Sequence, residues 1–463
     1  MTQLPSPELI AAAARTLAGT VRRTPLQLSE RLSATLGRPV YLKREDTQVG
    51  RSYKVRGAYN AIHALGEKER AAGVVCASAG NHAQGVAYAC NHLQIHGKIF
   101  LPATTPRQKR ERIRDIGGAW VEQIIGGPTF DAAAGAALAY ASAHGATFVH
   151  PFDAAPIIAG QGTVIAEAFE QCVEQSGQEP EAVLVPVGGG GLLAGTAIWV
   201  KNTHPQTRVI GVEPTGAASM QAALAAGGPV TLESVDNFAD GTAVARVGDL
   251  TYAAARDLVD GFITVPEGAL CTEMLELYQV EGIIAEPSGA LAPAAVGRLN
   301  TLVETRVGAS TGGACSSTGD AGSSAGAGTA NGNDAAISGS GADPAATPRP
   351  LIAVISGGNN DVSRYADILE RSMVYEGLRH YFLVTFAQKP GALKEFLDRV
   401  LVADEDIVYF EYTKKTNRET GPALVGIDIQ HPENLADLLD RMDRSGIDIH
   451  KVEPGSPEFR FFI

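Results

Sequence analysis

Four short segments carry residue types that could act together on a small organic molecule. In Arg51-Ser52-Tyr53-Lys54-Val55-Arg56-Gly57-Ala58 a lysine opens a predicted helix whose apolar face is Ala58, Ile62 and Leu65. The positive end of a helix disfavours a nearby cation, so Lys54 is expected to titrate low, and a neutral amine is what a Schiff base needs. Alone, such a lysine is equally a solvated surface charge. Ala182 to Val187 followed by Gly188-Gly189-Gly190-Gly191-Leu192-Leu193-Ala194 reads as strand, glycine turn and helix. Four glycines remove every Cβ from the turn, so backbone N–H groups can converge on an anion: a phosphate cradle. No Lys-Ser/Thr follows, which excludes a P-loop. Gly189-x-Gly191-x-x-Ala194, with Glu213 ending the next strand, also fits a dinucleotide fold. A nicotinamide dehydrogenase and a plain tight turn therefore stay open for this segment.

Ser78-Ala79-Gly80-Asn81-His82-Ala83-Gln84-Gly85 follows a predicted strand and opens a helix. Its small side chains and free amides suit a carboxylate, and Asn81 can donate to an oxygen or ring substituent. His82 is either a general base or a hydrogen-bonded spacer. Ser356-Gly357-Gly358-Asn359 is a third strand-end loop, in which Ser356 offers a neutral hydroxyl.

These loops need a scaffold, and the sequence supplies an α/β one. Predicted strands at Val40 to Leu42, Gly73 to Ala77, Lys98 to Leu101, Ala119 to Ile124, Thr147 to His150, Ala182 to Val187, Val209 to Val212 and Phe262 to Val265 alternate with helical segments. In open α/β sheets ligands gather at the carboxyl ends of strands, where these loops fall. A helical stretch is expected from Leu291 to Val303, then a buried strand at Leu351 to Ile355. Between them, Gly308 to Ala345 contains ten Gly, ten Ala, seven Ser and three Thr. Such a segment cannot bury enough surface to offset its ordering entropy and reads as a disordered insertion over 308–348. Beyond Arg379 the pattern becomes β-α-β-β-α-β. Its strands are Tyr381 to Phe386, Ile407 to Tyr412, Ala423 to Ile429 and Ile449 to Val452, and its helices place Leu393, Phe396, Leu397 and Val400, then Leu435, Leu438, Leu439 and Met442, at helical spacing. This is a ferredoxin-like unit without a compact catalytic group, read as regulatory or, alternatively, as a support for subunit association.

Taken together, Ser52-x-Lys54-x-Arg56-Gly57-Ala58, Ser78 to Gly85, His150-Pro-Phe-Asp153 with Gly160-Gln-Gly162, the tetraglycine turn, Phe238-Ala-Asp-Gly-Thr-Ala-Val244, Glu286-Pro-Ser-Gly-Ala290 and Ser356 to Asn359 resemble the threonine dehydratases (threonine ammonia-lyases), which are fold-type II pyridoxal-phosphate enzymes. Gln388-Lys-Pro-Gly-Ala-Leu393 and Asn417-Arg-Glu-Thr-Gly-Pro-Ala-Leu-Val-Gly426 resemble the single ACT-like regulatory domain of the short biosynthetic form. The resemblance implies a catalytic domain over 1–375, with two open twisted α/β subdomains and the smaller one at roughly 55–155, followed by an α+β ACT-like domain over 380–463. It further implies pyridoxal 5'-phosphate bound covalently by Lys54, its phosphate on the backbone of Gly188, Gly189, Gly190, Gly191 and Leu192, its phenolic oxygen on Asn81 and its ring nitrogen facing Ser356. The loop of Ser78, Ala79, Gly80, Asn81 and His82 would take the substrate carboxylate. The implied reaction is deamination of L-threonine, and also L-serine, by β-elimination, with isoleucine or valine as effectors. Serine dehydratases and racemases share these catalytic parts, and a non-catalytic amino-acid sensor would explain only the tail. Some such relatives bind a divalent cation through a Glu-Pro with Asp six residues beyond the Glu. Here Glu213-Pro214 is followed by Ser219, so no metal site is expected.

Composition sets the outer limits. The chain has 463 residues, 45% of them hydrophobic, enough for two or three domains. Its 38 basic and 51 acidic residues give a formal net charge of -13, which argues against a nucleic-acid or membrane-surface binder. No apolar run reaches the length of a membrane span, and the start MTQLPSPELI lacks a leader pattern, so a cytoplasmic protein is expected. The five cysteines are widely separated and read as free thiols. Acidic charge and the resemblance together suggest a homotetramer.

Overall fold

The computed structural model describes residues 4–305, 348–412 and 418–462. Apart from Pro348, the Gly/Ala/Ser-rich block at 308–348 lies outside the described residues, as does Asn417. The chain divides into two units, Met1–Pro266 with Leu277–Asn360, and Glu267–Glu276 with Asp361–Ile463.

The first unit contains two sheets. The larger has seven strands, running edge to edge Leu26–Leu28, Val40–Arg44, Leu351–Ile355, Ala182–Pro186, Arg208–Pro214, Gly261–Val265 and Val303–Glu304. The five central strands are mutually parallel and the two edges antiparallel. Ala182–Pro186 and Leu351–Ile355 are buried at every position, because helices cover both faces of a parallel sheet and its central strands become unbroken apolar runs. The smaller sheet, Val121–Ile125, Gly97–Leu101, Val74–Ala77 and Thr147–Phe148, is parallel throughout. Each sheet has its own apolar core.

The 22-residue helix Ala155–Ser176 fixes the helix that begins at Lys54. A Cβ on Gly160 would lie 2.6 Å from Gly57 Cα, so only glycine lets the two backbones cross this closely.

The second unit is built on a four-stranded antiparallel sheet ordered Asp406–Tyr412, Thr420–Asp428, Arg379–Ala387 and Asp448–Val452. The helices Ala392–Val400 and Leu435–Arg444 bury Phe396, Val400, Leu438 and Met442 in its core. The expected β-α-β-β-α-β order is present, with added helices at Tyr365–Tyr375 and Pro457–Phe462. Among the described residues no helix is long and apolar enough to cross a membrane.

Elsewhere the structure departs from expectation in local ways. The helix expected over Leu291 to Val303 is Pro287–Val296, stopped at Gly297 and followed by a 3-10 turn, Leu299–Thr301, and the short edge strand. The strand expected through His150 ends at Phe148, because the His150 ring turns the chain: its Nδ1 accepts the N–H groups of Phe152 (3.2 Å) and Asp153 (2.8 Å).

Candidate active site

The four loops singled out in the sequence meet at the carboxyl ends of the strands. Tyr53 N–H donates to Ser356 O at 3.2 Å, and Ser52 pairs with Gly357 in an isolated bridge, which brings the Ser356 loop to the start of the Lys54 helix. Asn359 Nδ2 donates to Asn81 Oδ1 at 2.6 Å, which brings in the Ser78–His82 loop. Lys54 Nζ donates to Pro151 O at 3.0 Å, and the next residue, Phe152, packs under Gly189 and Gly191. One segment, His150 to Asp153, therefore touches both the lysine and the glycine turn.

Lys54 is pushed down to about 8, chiefly by burial, with Glu286 opposing the shift. The direction agrees with the sequence reading but the cause differs: enclosure by neighbouring segments outweighs the helix terminus. Tyr53 also presents its ring face 5.3 Å from the ammonium. An amine with this poise reacts readily with an aldehyde.

The glycine turn is built for an anion. Helix Gly191–Thr203 has Gly190 as N-cap at φ +90°, with no side chain to cap it. Among the described residues no acceptor takes the N–H groups of Gly188 through Leu192, although all but Gly188 are buried. Buried donors without partners at a helix N-terminus fit a phosphate. The turn cannot hold larger residues, because a Cβ on Gly189 would overlap the Phe152 ring and one on Gly188 would lie 2.8 Å from Thr242 Cα. Asp153 anchors the floor: its carboxylate accepts the N–H groups of Asp249 (2.9 Å), Leu250 (3.0 Å) and Thr251 (3.1 Å), capping helix Asp249–Leu258. Thr251 Oγ1 in turn donates to Gly189 O at 2.7 Å.

The Ser78–His82 loop ends in a second uncapped helix, Asn81–Leu93, with Gly80 as N-cap and open space where its Cβ would be. Ser78 Oγ accepts Gly80 N–H at 3.2 Å. His82 is buried, its Nε2 is 2.9 Å from Val149 O, and burial drives it down to about 3. This is the geometry of a neutral spacer, not of a general base. Ser356 Oγ is buried and donates to Ser288 O at 3.1 Å, leaving its lone pairs as acceptors.

Glu213 cannot serve as a ribose acid. It is fully buried and accepts the N–H groups of Met220 (2.7 Å) and Gln221 (3.0 Å) at the start of helix Ser219–Ala226. The dinucleotide alternative loses its second element.

Two features went unassigned in the sequence. Glu286, before the N1 proline of helix Pro287–Val296, is a buried carboxylate bonded to Asn81 Nδ2 at 2.6 Å. Beneath the lysine helix, Arg56, Glu45, Lys43 and Glu167 form a charge network in which the first three side chains are fully enclosed.

The chain resembles known proteins along most of its length. Residues 17–311 match the family described as "Pyridoxal-phosphate dependent enzyme", and residues 370–462 match the "C-terminal regulatory domain of Threonine dehydratase". The chain is 50% identical over 454 residues to the L-threonine dehydratase biosynthetic IlvA of Mycobacterium tuberculosis, covering 97% of this chain and 94% of that protein. Among solved structures it resembles the processed form of threonine deaminase isoform 2 from Solanum lycopersicum (TM-score 0.65, 35% identity, 80% of this chain and 95% of that one). It also resembles maize serine racemase (TM-score 0.64, 29% identity, 81% and 99%).

Proposed function

Because the chain belongs to the pyridoxal-phosphate dependent enzymes, and within them to the biosynthetic L-threonine dehydratases, we propose that it deaminates L-threonine to 2-oxobutanoate and ammonia by β-elimination, with the four loops above as its active site. The observation that carries the site assignment is the buried, low-titrating Lys54 held by Pro151 O, one residue from the Phe152 floor of an uncapped glycine turn.

When bound, pyridoxal phosphate supplies an electron sink that lets the substrate's α-proton and then its β-hydroxyl leave. The chain's own residues do the rest. The N–H groups of Gly188 to Leu192 would hold the cofactor's phosphate and Lys54 Nζ would be its covalent anchor. With substrate in place, the neutral amine at Nζ would be the base that takes the α-proton. The free N–H groups of the Ser78–His82 loop bind the substrate carboxylate and align the Cα–H bond with that base. Asn81 Nδ2 would donate to the phenolic oxygen of the bound cofactor. Ser356 would face the ring nitrogen with a neutral hydroxyl, which would stabilise negative charge there far less than a carboxylate and so favour loss of the β-hydroxyl over reprotonation. Water hydrolyses the released enamine to the oxo acid and ammonia.

Regulation is the role we assign to the C-terminal unit, with isoleucine as inhibitor, opposed by valine. An allosteric coupling of the usual size, about 5- to 150-fold in affinity, is expected. We further propose a cytoplasmic homotetramer. Association is supported by the edge strand Asp406–Tyr412, which leaves Val408, Tyr409, Phe410 and Tyr412 about 40% exposed. The test is release of 2-oxobutanoate from threonine against pyruvate from serine, with and without isoleucine. Preference for threonine and a threonine saturation curve shifted by isoleucine support the reading. Preference for serine, or curves unmoved by either amino acid, would overturn the corresponding half of it.

A further inference from the structure

Two strand-end loops are tied together by one buried glutamate. Glu286 is 4% exposed. Its Oε1 accepts Asn81 Nδ2 at 2.6 Å, and its own backbone N–H donates to Gly357 O at 3.1 Å. A Cβ at Gly357 would overlap Oε1, so glycine there is what lets the carboxylate reach the loop.

The hydrogen-bond chain has a direction, fixed at both ends. Asn359 Nδ2 donates to the backbone carbonyl of Gly50 at 2.7 Å, and a carbonyl can only accept. The same Nδ2 donates to Asn81 Oδ1 at 2.6 Å, so the Asn81 carbonyl is occupied on that side. Its NH2 must then face Glu286, and an ionised carboxylate can only accept. One polar group of Asn81 is left over, the second N–H.

We propose that Glu286 is a positioning residue which, with Asn359, locks the Asn81 amide so that it can present only an N–H donor to a ligand oxygen. This rests on the assignment of Asn81 to the phenolic oxygen of pyridoxal phosphate. It adds that the charge on Glu286, rather than Asn81 alone, sets the hydrogen bond to that oxygen. A protonated Glu286 is a poorer acceptor and can turn donor, which removes the constraint on the amide.

The groups acting on Glu286 come from several elements. Lys54 and Tyr53 face it from the lysine helix, Asp240 from the loop that follows Phe238, and Lys109, paired with Asp240 at 2.9 Å, from helix Arg107–Gly117. Burial, then Asp240, pushes Glu286 up to about 7, while Asn81, Asn359 and Lys109 pull it down. Its charge therefore changes in the working range.

The experiment uses the full chain with pyridoxal phosphate and compares wild type, Glu286→Gln and Asn359→Ala. Cofactor dissociation constants and visible absorption maxima are measured from pH 5.5 to 9.5. Wild type should show two inflections, one near 7 and one near 8, with binding weakening on the acid side of each. Glu286→Gln should show one inflection only, that of Lys54, displaced below 8 because the charge that raised it is gone, with cofactor binding at pH 8 weakened roughly tenfold, the usual scale for a hydrogen bond to a charged group. Asn359→Ala, which frees Asn81 Oδ1 without touching the carboxylate, should shift the absorption maximum in the same direction as Glu286→Gln. Two inflections persisting in Glu286→Gln, or an absorption maximum moved by neither variant, would overturn the proposal. A wild-type protein that gives no visible band with pyridoxal phosphate would instead overturn the active-site reading beneath it.

Discussion

Replacing Arg56 by methionine should strongly destabilise the catalytic unit while touching no residue assigned to substrate or cofactor. The guanidinium is fully buried and donates to Glu45 (Nε to Oε2 2.9 Å, Nη2 to Oε1 2.7 Å) and to Glu167 (Nη1 to Oε1 2.7 Å, Nη2 to Oε2 2.9 Å). Lys43 Nζ, also buried, binds Glu167 Oε2 at 3.0 Å, Gln171 Oε1 at 2.9 Å and Thr24 O at 2.8 Å. Two cations balance two carboxylates, so removing Arg56 leaves Glu45 with the Thr24 hydroxyl at 2.6 Å and an uncompensated buried charge. Breaking such a pair costs about 3–5 kcal/mol, against a total stability of about 5–15 kcal/mol. The midpoint of thermal unfolding should fall by roughly 5–15 °C.

The assay is near-UV circular dichroism on heating at pH 7.5, for wild type, Arg56→Met, and Arg56→Met combined with Glu45→Met. The double variant removes the odd charge and should be more stable than the single one, because apolar replacement of a complete buried pair is often neutral. The pH dependence gives an independent check. In the native protein burial pushes Glu45 up, but Arg56 and Lys43 outweigh it and hold the carboxyl low, so its contribution is present above the unfolded value and lost as pH falls. Without Arg56, burial dominates and raises it, so the penalty exists above the unfolded value and vanishes below it. The gap between wild type and Arg56→Met should therefore narrow as pH drops toward about 4.3 and close only below the depressed native value of Glu45. A single variant that loses less than about 1 kcal/mol, or a double variant that simply sums the two losses, would refute the reasoning.

Gly189→Ala drives a methyl group into the Phe152 ring, so the floor must shift at a cost of about 1–3 kcal/mol, and titration with pyridoxal phosphate should show at least roughly tenfold weaker binding. Asp153→Ala strips the cap from three backbone N–H groups and should lower stability by about 1–2 kcal/mol in denaturant unfolding, with the visible absorption maximum of the bound cofactor unchanged. Because burial holds Lys54 near 8, cofactor capture should be half-maximal around that pH and slow about tenfold for each unit below it; a stopped-flow rate flat from pH 6 to 9 would contradict this.

The sequence was informative where a residue type has few physical uses. Four consecutive glycines after an apolar strand mark a turn that needs backbone N–H groups free of side chains, and the turn was legible for that reason. The low titration of Lys54 was legible in direction only, since its enclosure depends on Pro151 and Tyr53, and nothing in a linear pattern says that residue 151 folds over residue 54. Glu286 was hidden because a carboxylate before an N1 proline reads as an ordinary helix cap, whereas its side chain makes no cap bond and turns to Asn81. The Arg56 network was hidden by separation: Lys43 and Glu167 stand 124 positions apart, and each charge alone reads as solvated surface. The edge strands Leu26–Leu28 and Val303–Glu304 are too short to show a period.

That Lys54 Nζ is the covalent anchor of the cofactor is the claim on which the rest depends. Reduction of the pyridoxal-phosphate-loaded protein with borohydride, followed by digestion and mass spectrometry, reads the anchor directly. A single pyridoxyl group is expected on the peptide containing Lys54, with loss of both that label and 2-oxobutanoate release in Lys54→Ala. A pyridoxyl group on any other lysine, or turnover of threonine by Lys54→Ala, would contradict it.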